Sequence, residues 1–220
     1  MLDMVESAAS TDELHTALRK VRRLFWADGV AFGAEELDRH SAVTWRRLTH
    51  AGEGTWHAGV RAAWRTEEVR ELIESENGPM SLRSLGIDPV RFGNAKSVLV
   101  VPGRAARGMR GALFVVSATE GFFDGDLGGN KNGVRFILQC LLDHEHLVRS
   151  NQLKEQAQLD DRDRHLLRLE MQDQSCKEMA RHLGKTPKAV EHLWADLCHR
   201  LGVSRRIDAL HRALSFGLLD

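Results

Sequence analysis

Between residues 159 and 219 the chain has no strand-like run, and its helix ends are marked so closely that each can be read from the sequence. Residues 161–169 set Leu166, Leu167 and Leu169 as the core of a first helix. Ser175 caps a second, Cys176–Leu183, because its hydroxyl can accept from an otherwise orphaned N–H three residues on. Gly184 closes that helix in a left-handed backbone conformation that a side chain resists. Thr186 caps a third helix, with Pro187 in its first turn, where the missing N–H costs nothing. There Val190, Trp194, Leu197 and Leu201 fall on one face. A fourth helix over residues 205–216 puts Ile207, Leu210 and Leu214 on one side.

Upstream, helix and strand signals mix. Ser10-Thr11-Asp12-Glu13 is a capping-box pattern, and Leu14, Leu18, Val21, Leu24 and Phe25 predict a helix to about Trp26, stopped by Asp28-Gly29. Residues 30–34 and 43–49 read as strands. Residues 66–76 read as a charged helix ended by Asn77-Gly78-Pro79. Two β-rich runs, 97–101 and 111–116, flank a Gly- and Arg-containing loop, which makes them antiparallel neighbours. Residues 121–133 read as loop. Val134, Ile137, Leu138, Leu141, Leu142, Leu147 and Val148 mark a long helix, and residues 150–158, lacking a hydrophobic stripe, read as a linker. The expected class is α+β. An α/β/α sandwich around an antiparallel sheet occupies residues 1–149, a linker 150–158, and a four-helix domain 159–220.

A length of 220 residues suits two small domains. A formal net charge of zero excludes a wholesale basic wrapper of nucleic acid, though a reader of DNA needs only a local basic face. No run of about eighteen apolar residues predicts a membrane span. Asp3 and Glu6 spoil any signal-peptide reading of the first ten residues. Cys140, Cys176 and Cys198 are widely spaced, without a CxxC pair. They point to a reducing cytoplasm and to buried or half-buried thiols, away from a disulfide framework or zinc module.

Neither a cofactor nor an enzymatic activity is expected, since no catalytic set is spaced in the sequence. Gly184-Lys185-Thr186 matches the end of a phosphate-binding loop, but the earlier glycine would fall at Met179 and no strand precedes it. Asp124, Asp126, Gly129 and Asn130 echo a calcium loop whose twelfth position is Arg135 instead of Glu. His144 and His146 lie on different faces of a helix, the wrong spacing for chelation. Arg104, Arg107 and Arg110 read as a solvated cluster near a hairpin tip. Trp45, Trp56 and Trp64 can line a ligand pocket, supplying apolar walls and N–H donors, or belong to the core.

Two short helices joined by a tight glycine turn, the second with a polar face, form a helix-turn-helix. Here Ser175-Cys176-Lys177-Glu178-Met179-Ala180, Lys188-Ala189-Val190, Leu201-Gly202-Val203 and Arg206-x-x-Ala209 together resemble the LuxR (GerE-type) DNA-binding domain over residues 159–219. Phe92-Gly93-Asn94-Ala95-Lys96-Ser97, the strand after it, the hairpin to Ser117 and the closing helix around Leu141 to Val148 resemble the second half of a LuxR autoinducer-binding domain, a pattern shared with GAF domains. The resemblance implies a cytoplasmic, quorum-sensing-like transcription regulator. Pro187–Arg200 would be its recognition helix, laid in the major groove of double-stranded DNA, with the last helix packing subunits together. By position, Lys177, Lys188, Arg205 and Arg206 would contact phosphates. Thr186 would offer a hydroxyl or N–H at the helix start, and His192 and Ala195 would face the groove.

The departures from the family concern affinity more than fold. Ala189-Val190-Glu191 stands where the family has Thr-Val-Lys, so Glu191 reverses a charge that commonly faces DNA, and Asp196 adds a second carboxylate. Glu191 can accept from the exocyclic amine of cytosine, or repel phosphates. Leu193 replaces a frequent His, and Asp173 a frequent Gly at a left-handed position that Asp tolerates. The chain has no tyrosine, and its Asp88-Pro89 pair stands too close to the hairpin strand to match the family's pair. A small-molecule signal is therefore expected not to be a standard acyl-homoserine lactone. The expected partner is a second copy of the chain or another LuxR-type protein. The alternative function is an interaction protein that heterodimerises with such a regulator, as co-activator or anti-activator, with weak DNA binding of its own.

Overall fold

The computed structural model describes residues 8–37, 43–75, 78–105, 109–123 and 131–219, which divide into two compact units at the step from Glu145 to His146. The first unit contains α1 (Ala8–Leu24), β1 (Gly29–Leu37), β2 (Val43–Gly52), α2 (Trp56–Ala63), α3 (Glu67–Ser75), β3 (Met80–Ser81), β4 (Ser97–Arg104), β5 (Met109–Ser117) and the first turns of α4 (Lys131–Ala157). Its sheet runs β2-β1-β5-β4-β3, antiparallel throughout.

Because successive side chains on a strand point to opposite faces, the inner strands serve two cores. Val30, Phe32 and Ala34 of β1 meet Leu14 and Leu18 of α1 and Leu138 and Leu142 of α4. Ala31, with Val98 and Phe114, meets Trp56 and Val60 of α2 and Val69 and Ile73 of α3. Both faces are covered, and β5 is buried along its whole length, which is why its sequence runs apolar without alternation. Charged groups inside this unit are paired, as burial demands. Arg47 donates to Glu145 at 2.9 Å, and Arg110 donates to Glu35 at 2.7 Å and to Glu74.

Several elements differ from the sequence reading. The first helix is already formed at Ala8, upstream of the expected cap, and the side chains of Ser10 and Thr11 lie outside the described residues. Helix α2 was not expected. Its Gly59 weakens the helical signal for a tertiary reason, since a Cβ there would lie 2.4 Å from the Arg91 carbonyl and the Phe92 Cα. Arg110 is buried instead of solvated, Arg104 donates to the Glu74 carbonyl at 3.0 Å, and Arg107 lies outside the described residues. So do Asp124, Asp126, Gly129 and Asn130 of the calcium-like run. Cys140 is exposed, unlike the half-buried Cys176 and the buried Cys198.

The second unit joins the end of α4 to α5 (Asp161–Met171), α6 (Cys176–Leu183), α7 (Pro187–Arg200) and α8 (Arg206–Ser215). The stretch read as a linker is helical to Ala157. Leu153 and Ala157, four residues apart, enter the core with Leu166, Met179, Val190 and Leu197, and Ser150 donates to the Phe216 carbonyl at 2.7 Å. On α8 the buried side is Ala209, Leu210 and Ala213, and Leu214 is exposed.

Candidate nucleic-acid interface

The α6–α7 pair is assembled from local hydrogen bonds. The Ser175 hydroxyl accepts from the Glu178 N–H, while the Glu178 carboxylate accepts from the Ser175 N–H at 2.8 Å and hydroxyl at 2.6 Å, a complete capping box. Those donors, the hydroxyl first and the N–H second, hold the Glu178 carboxyl below the usual carboxylate range. Asp160 and Asp163 make the same box at the start of α5. Asp173 and Gly184 take left-handed conformations, φ 53° and 60°, and end the helices before them. The Thr186 hydroxyl accepts from the Ala189 N–H at 3.2 Å, and Pro187 opens α7.

Three longer-range contacts then fix α7. The Trp194 indole N–H points at the Met179 sulfur, 3.3 Å away on α6. Arg200 donates to the Ala157 carbonyl at 2.7 Å, to Asp163 at 2.8 Å and to Asp196 at 3.0 Å. Burial works against its charge, but the Asp163 and Asp196 carboxylates together more than offset that and hold the guanidinium above its ordinary value. Arg206 brings its guanidinium 3.2 Å from the Cys176 sulfur, 3.7 Å from the Glu170 carboxylate and 5.9 Å from the centre of the Trp194 ring. Cys198 is buried between these elements, and burial pushes its thiol pKa up, with Asp208 adding to the shift.

With Val190, Trp194, Leu197 and Cys198 turned inward, α7 exposes Lys188, Glu191, His192, Ala195 and Asp196. Lys177 is exposed on α6, and Thr186 at the turn between the two helices. Six of the expected contact residues thus share the exposed surface of the α6–α7 pair. Arg205 is exposed beside α8 and donates to Asp208 at 2.8 Å. Arg206 differs from them, being half-buried and engaged with α5, α6 and α7. The Asp196 carboxylate is answered by Arg200 on its own helix, while Glu191, one turn earlier, stands exposed. Sequence reasoning missed Arg200. A cation in a last helical turn is unremarkable until Asp163 and the end of α4 are seen to converge on it.

Among the proposed pocket residues, Trp56 and Trp64 are 1% and 2% exposed and belong to the core beneath α2. Their rings lie on the sheet where β1 carries glycine. A Cβ on Gly29 would fall 2.3 Å from the Trp56 ring, and one on Gly33 2.7 Å from the Trp64 ring. The Trp45 side chain lies outside the described residues. Among the described residues no group of three or more ligating side chains is placed to hold a metal, and no helix is long and apolar enough to cross a membrane.

No known protein-family pattern matches the chain, and no curated protein matches it. Solved structures do. SdiA in complex with octanoyl-rac-glycerol is 10% identical, covers 98% of this chain and 91% of its own, and superposes with a TM-score of 0.67. The chain has the fold of SdiA. A second structure, Escherichia coli SdiA in the space group P6522, gives 10% identity, coverage of 99% of this chain and 94% of its own, and a TM-score of 0.63. At such identity the likeness to SdiA is one of fold.

Proposed function

We propose that the protein is a LuxR-type transcription regulator that binds a pseudo-palindromic DNA site as a dimer. The first unit would form its sensory and dimerisation part, and the second unit, with the end of α4 built into its core, the DNA reader. The observation that carries this reading is the α6–Gly184–α7 unit, pinned from inside by Trp194 and Arg200 and exposed along the outer face of α7. A helix about 10–12 Å across fits a major groove about 12 Å wide. The N-terminal end of α7 presents the positive end of the helix dipole, with the Thr186 hydroxyl and Lys188 beside it and Lys177 on α6. Arg205 extends the basic rim, and Arg206 acts as a brace for the start of α8.

The first unit is proposed to answer to a small molecule, by analogy with SdiA, whose structure contains octanoyl-rac-glycerol. The absence of tyrosine and the burial of Trp56 and Trp64 over glycine speak against a standard acyl-homoserine lactone. The regulator would act in the cytoplasm, without a cofactor and without catalysis.

The test is selection of random duplex DNA by the purified chain, then anisotropy titration of enriched sequences at several salt concentrations. A palindrome bound with a steep salt dependence, a slope of about 0.9 per phosphate contacted, is the expected result. No enrichment from a folded, dimeric protein refutes a self-sufficient reader. Exposed Glu191 favours one second reading, in which the chain pairs with another LuxR-type protein. Enrichment would then appear only with that partner present.

A further inference from the structure

We propose that the end of the first unit where α1 runs into β1 docks on an anionic lipid surface, with Trp26 and Leu24 entering the bilayer interface and the arginines of α1 meeting the phosphates. Helix α1 closes in a pattern that normally calls for glycine. The Ala27 N–H donates to the Arg22 carbonyl at 3.1 Å and the Trp26 N–H to the Arg23 carbonyl at 3.2 Å, which sets Trp26 in the left-handed region, φ 51°. A bulky residue is rare there, because its Cβ crowds the backbone. Burial of the ring does not repay that strain, since Trp26 is 86% exposed. Leu24, two residues earlier, is 59% exposed. A strained turn that holds an indole out in water makes sense if the ring enters a surface. Sheet register brings a third apolar side chain to the same end. Gly29, which opens β1, pairs with Val116 near the close of β5, and the Asp28 carboxylate accepts from the Ala118 N–H at 2.7 Å. The segment after β5 therefore leaves the sheet where α1 arrives, and on it Phe122 is 41% exposed.

Charge complementarity and shape select the occupant. Arg19, Arg22 and Arg23 lie within about two helical turns of Trp26, and Lys96 is exposed just before β4, at the same end of the sheet. Among the described carboxylates at this end, Asp28 is turned onto Ala118, Glu120 is paired with Arg83 at 2.8 Å, and Glu53 is the third. The apolar side chains thus project from a cationic surround. Nucleic acid would answer the arginines and leave Leu24 in water. A protein partner would need a recess matched to each projecting side chain. An anionic bilayer answers both demands at once. Its phosphates attract the cations, and its fluid headgroup boundary, about 5–10 Å deep, admits apolar side chains at any spacing. Tryptophan suits that boundary, having an apolar body and one polar N–H, and arginine stems can lie along it while their charges stay at the phosphates.

The experiment uses the full chain without DNA and two kinds of vesicle, phosphatidylcholine alone and phosphatidylcholine mixed with phosphatidylglycerol. Cosedimentation is expected with the anionic vesicles only, together with a blue shift of tryptophan emission that is lost in Trp26→Phe. Trp26→Gly is the decisive variant. It relieves the left-handed strain, so the urea midpoint should hold or rise, while affinity for anionic vesicles should fall about tenfold or more. Arg22→Glu combined with Arg23→Glu should weaken binding to a similar extent, with the midpoint again showing that the chain is folded. Binding that survives Trp26→Gly would be adsorption by charge alone and overturns the proposal. So does a Trp26→Gly chain less stable than the native one, whose ring would then serve the fold. Equal binding to both kinds of vesicle, or none to either, also overturns it, and the second result would leave the patch to an acidic protein.

Discussion

Arg200→Met tests whether the second unit is held together as described. The substitution keeps most of the apolar stem and removes every hydrogen bond of the guanidinium. Asp163, whose side chain is 3% exposed, loses its cation, and the Ala157 carbonyl at the end of α4 loses its donor. Breaking a fully buried ion pair from one side costs about 3–5 kcal/mol. Arg200 is 23% exposed, so water reaches the site and screening reduces the figure to about 2–3 kcal/mol. Asp196→Ala removes the third, solvent-facing carboxylate and is expected to cost at most about 0.5 kcal/mol. Amide hydrogen exchange on the full chain, read by mass spectrometry, separates the two outcomes. Peptides from α5 and α7 should exchange about 30–150-fold faster in Arg200→Met, with peptides from β4 and β5 unchanged. An acceleration of less than about threefold, or one shared equally by the sheet, would refute the assignment of Arg200 as the tie between α4, α5 and α7.

Glu191→Lys is expected to raise nonspecific DNA affinity and steepen its salt dependence if the carboxylate repels phosphates. If Glu191 reads cytosine, the change instead relaxes preference at one base pair by about 1–3 kcal/mol. Parallel titrations of matched and mismatched duplexes distinguish these, and no change in either quantity sinks both accounts. Gly33→Ala drives a methyl into the buried Trp64 ring, so urea denaturation should show a loss of about 1–3 kcal/mol, and an unchanged midpoint would show that the ring yields freely. The helix caps predict an acid effect. Asp160, through the Asp163 N–H, and Glu178, through Ser175, have carboxyls held below their ordinary range when folded. On acidification the unfolded chain takes up these protons first, so the stability the caps confer is complete above the unfolded carboxylate range and is lost as pH falls through the folded values. Exchange of α5 and α6 measured from pH 6 downward should show this loss, and Asp160→Asn should flatten it at α5.

The second unit was legible because its boundaries are written locally. Ser175, Gly184, Thr186 and Pro187 each act on backbone within three residues, and the structure places the ends of α6 where those residues predict. What escaped notice depends on partners far along the chain. Gly59 hid α2, and its reason lies at Arg91 and Phe92. Arg110 looked like a solvated hairpin residue until Glu35 and Glu74, 75 and 36 residues away, converged on it. The end of α4 passed for a linker because one leucine and one alanine make a faint stripe, although two side chains four apart are enough to anchor a helix on a core already formed. The buried face of α7, with Val190, Trp194 and Leu197, followed from helical phase alone. The role of Arg206 as a brace did not, since nothing near it in sequence names Glu170 or the Trp194 ring.

The sharing of β1 between two cores bears on how the first unit comes apart. Val30 and Phe32 belong to the layer under α1 and α4, and Ala31 between them to the layer under α2 and α3. Neither layer can lose this strand and leave the other whole, because the residues that would be exposed alternate along one backbone. The unit should therefore melt in one cooperative step, with both helical layers losing protection together. Partial opening would be confined to the rim, where β3 touches β4 over only Met80 and Ser81.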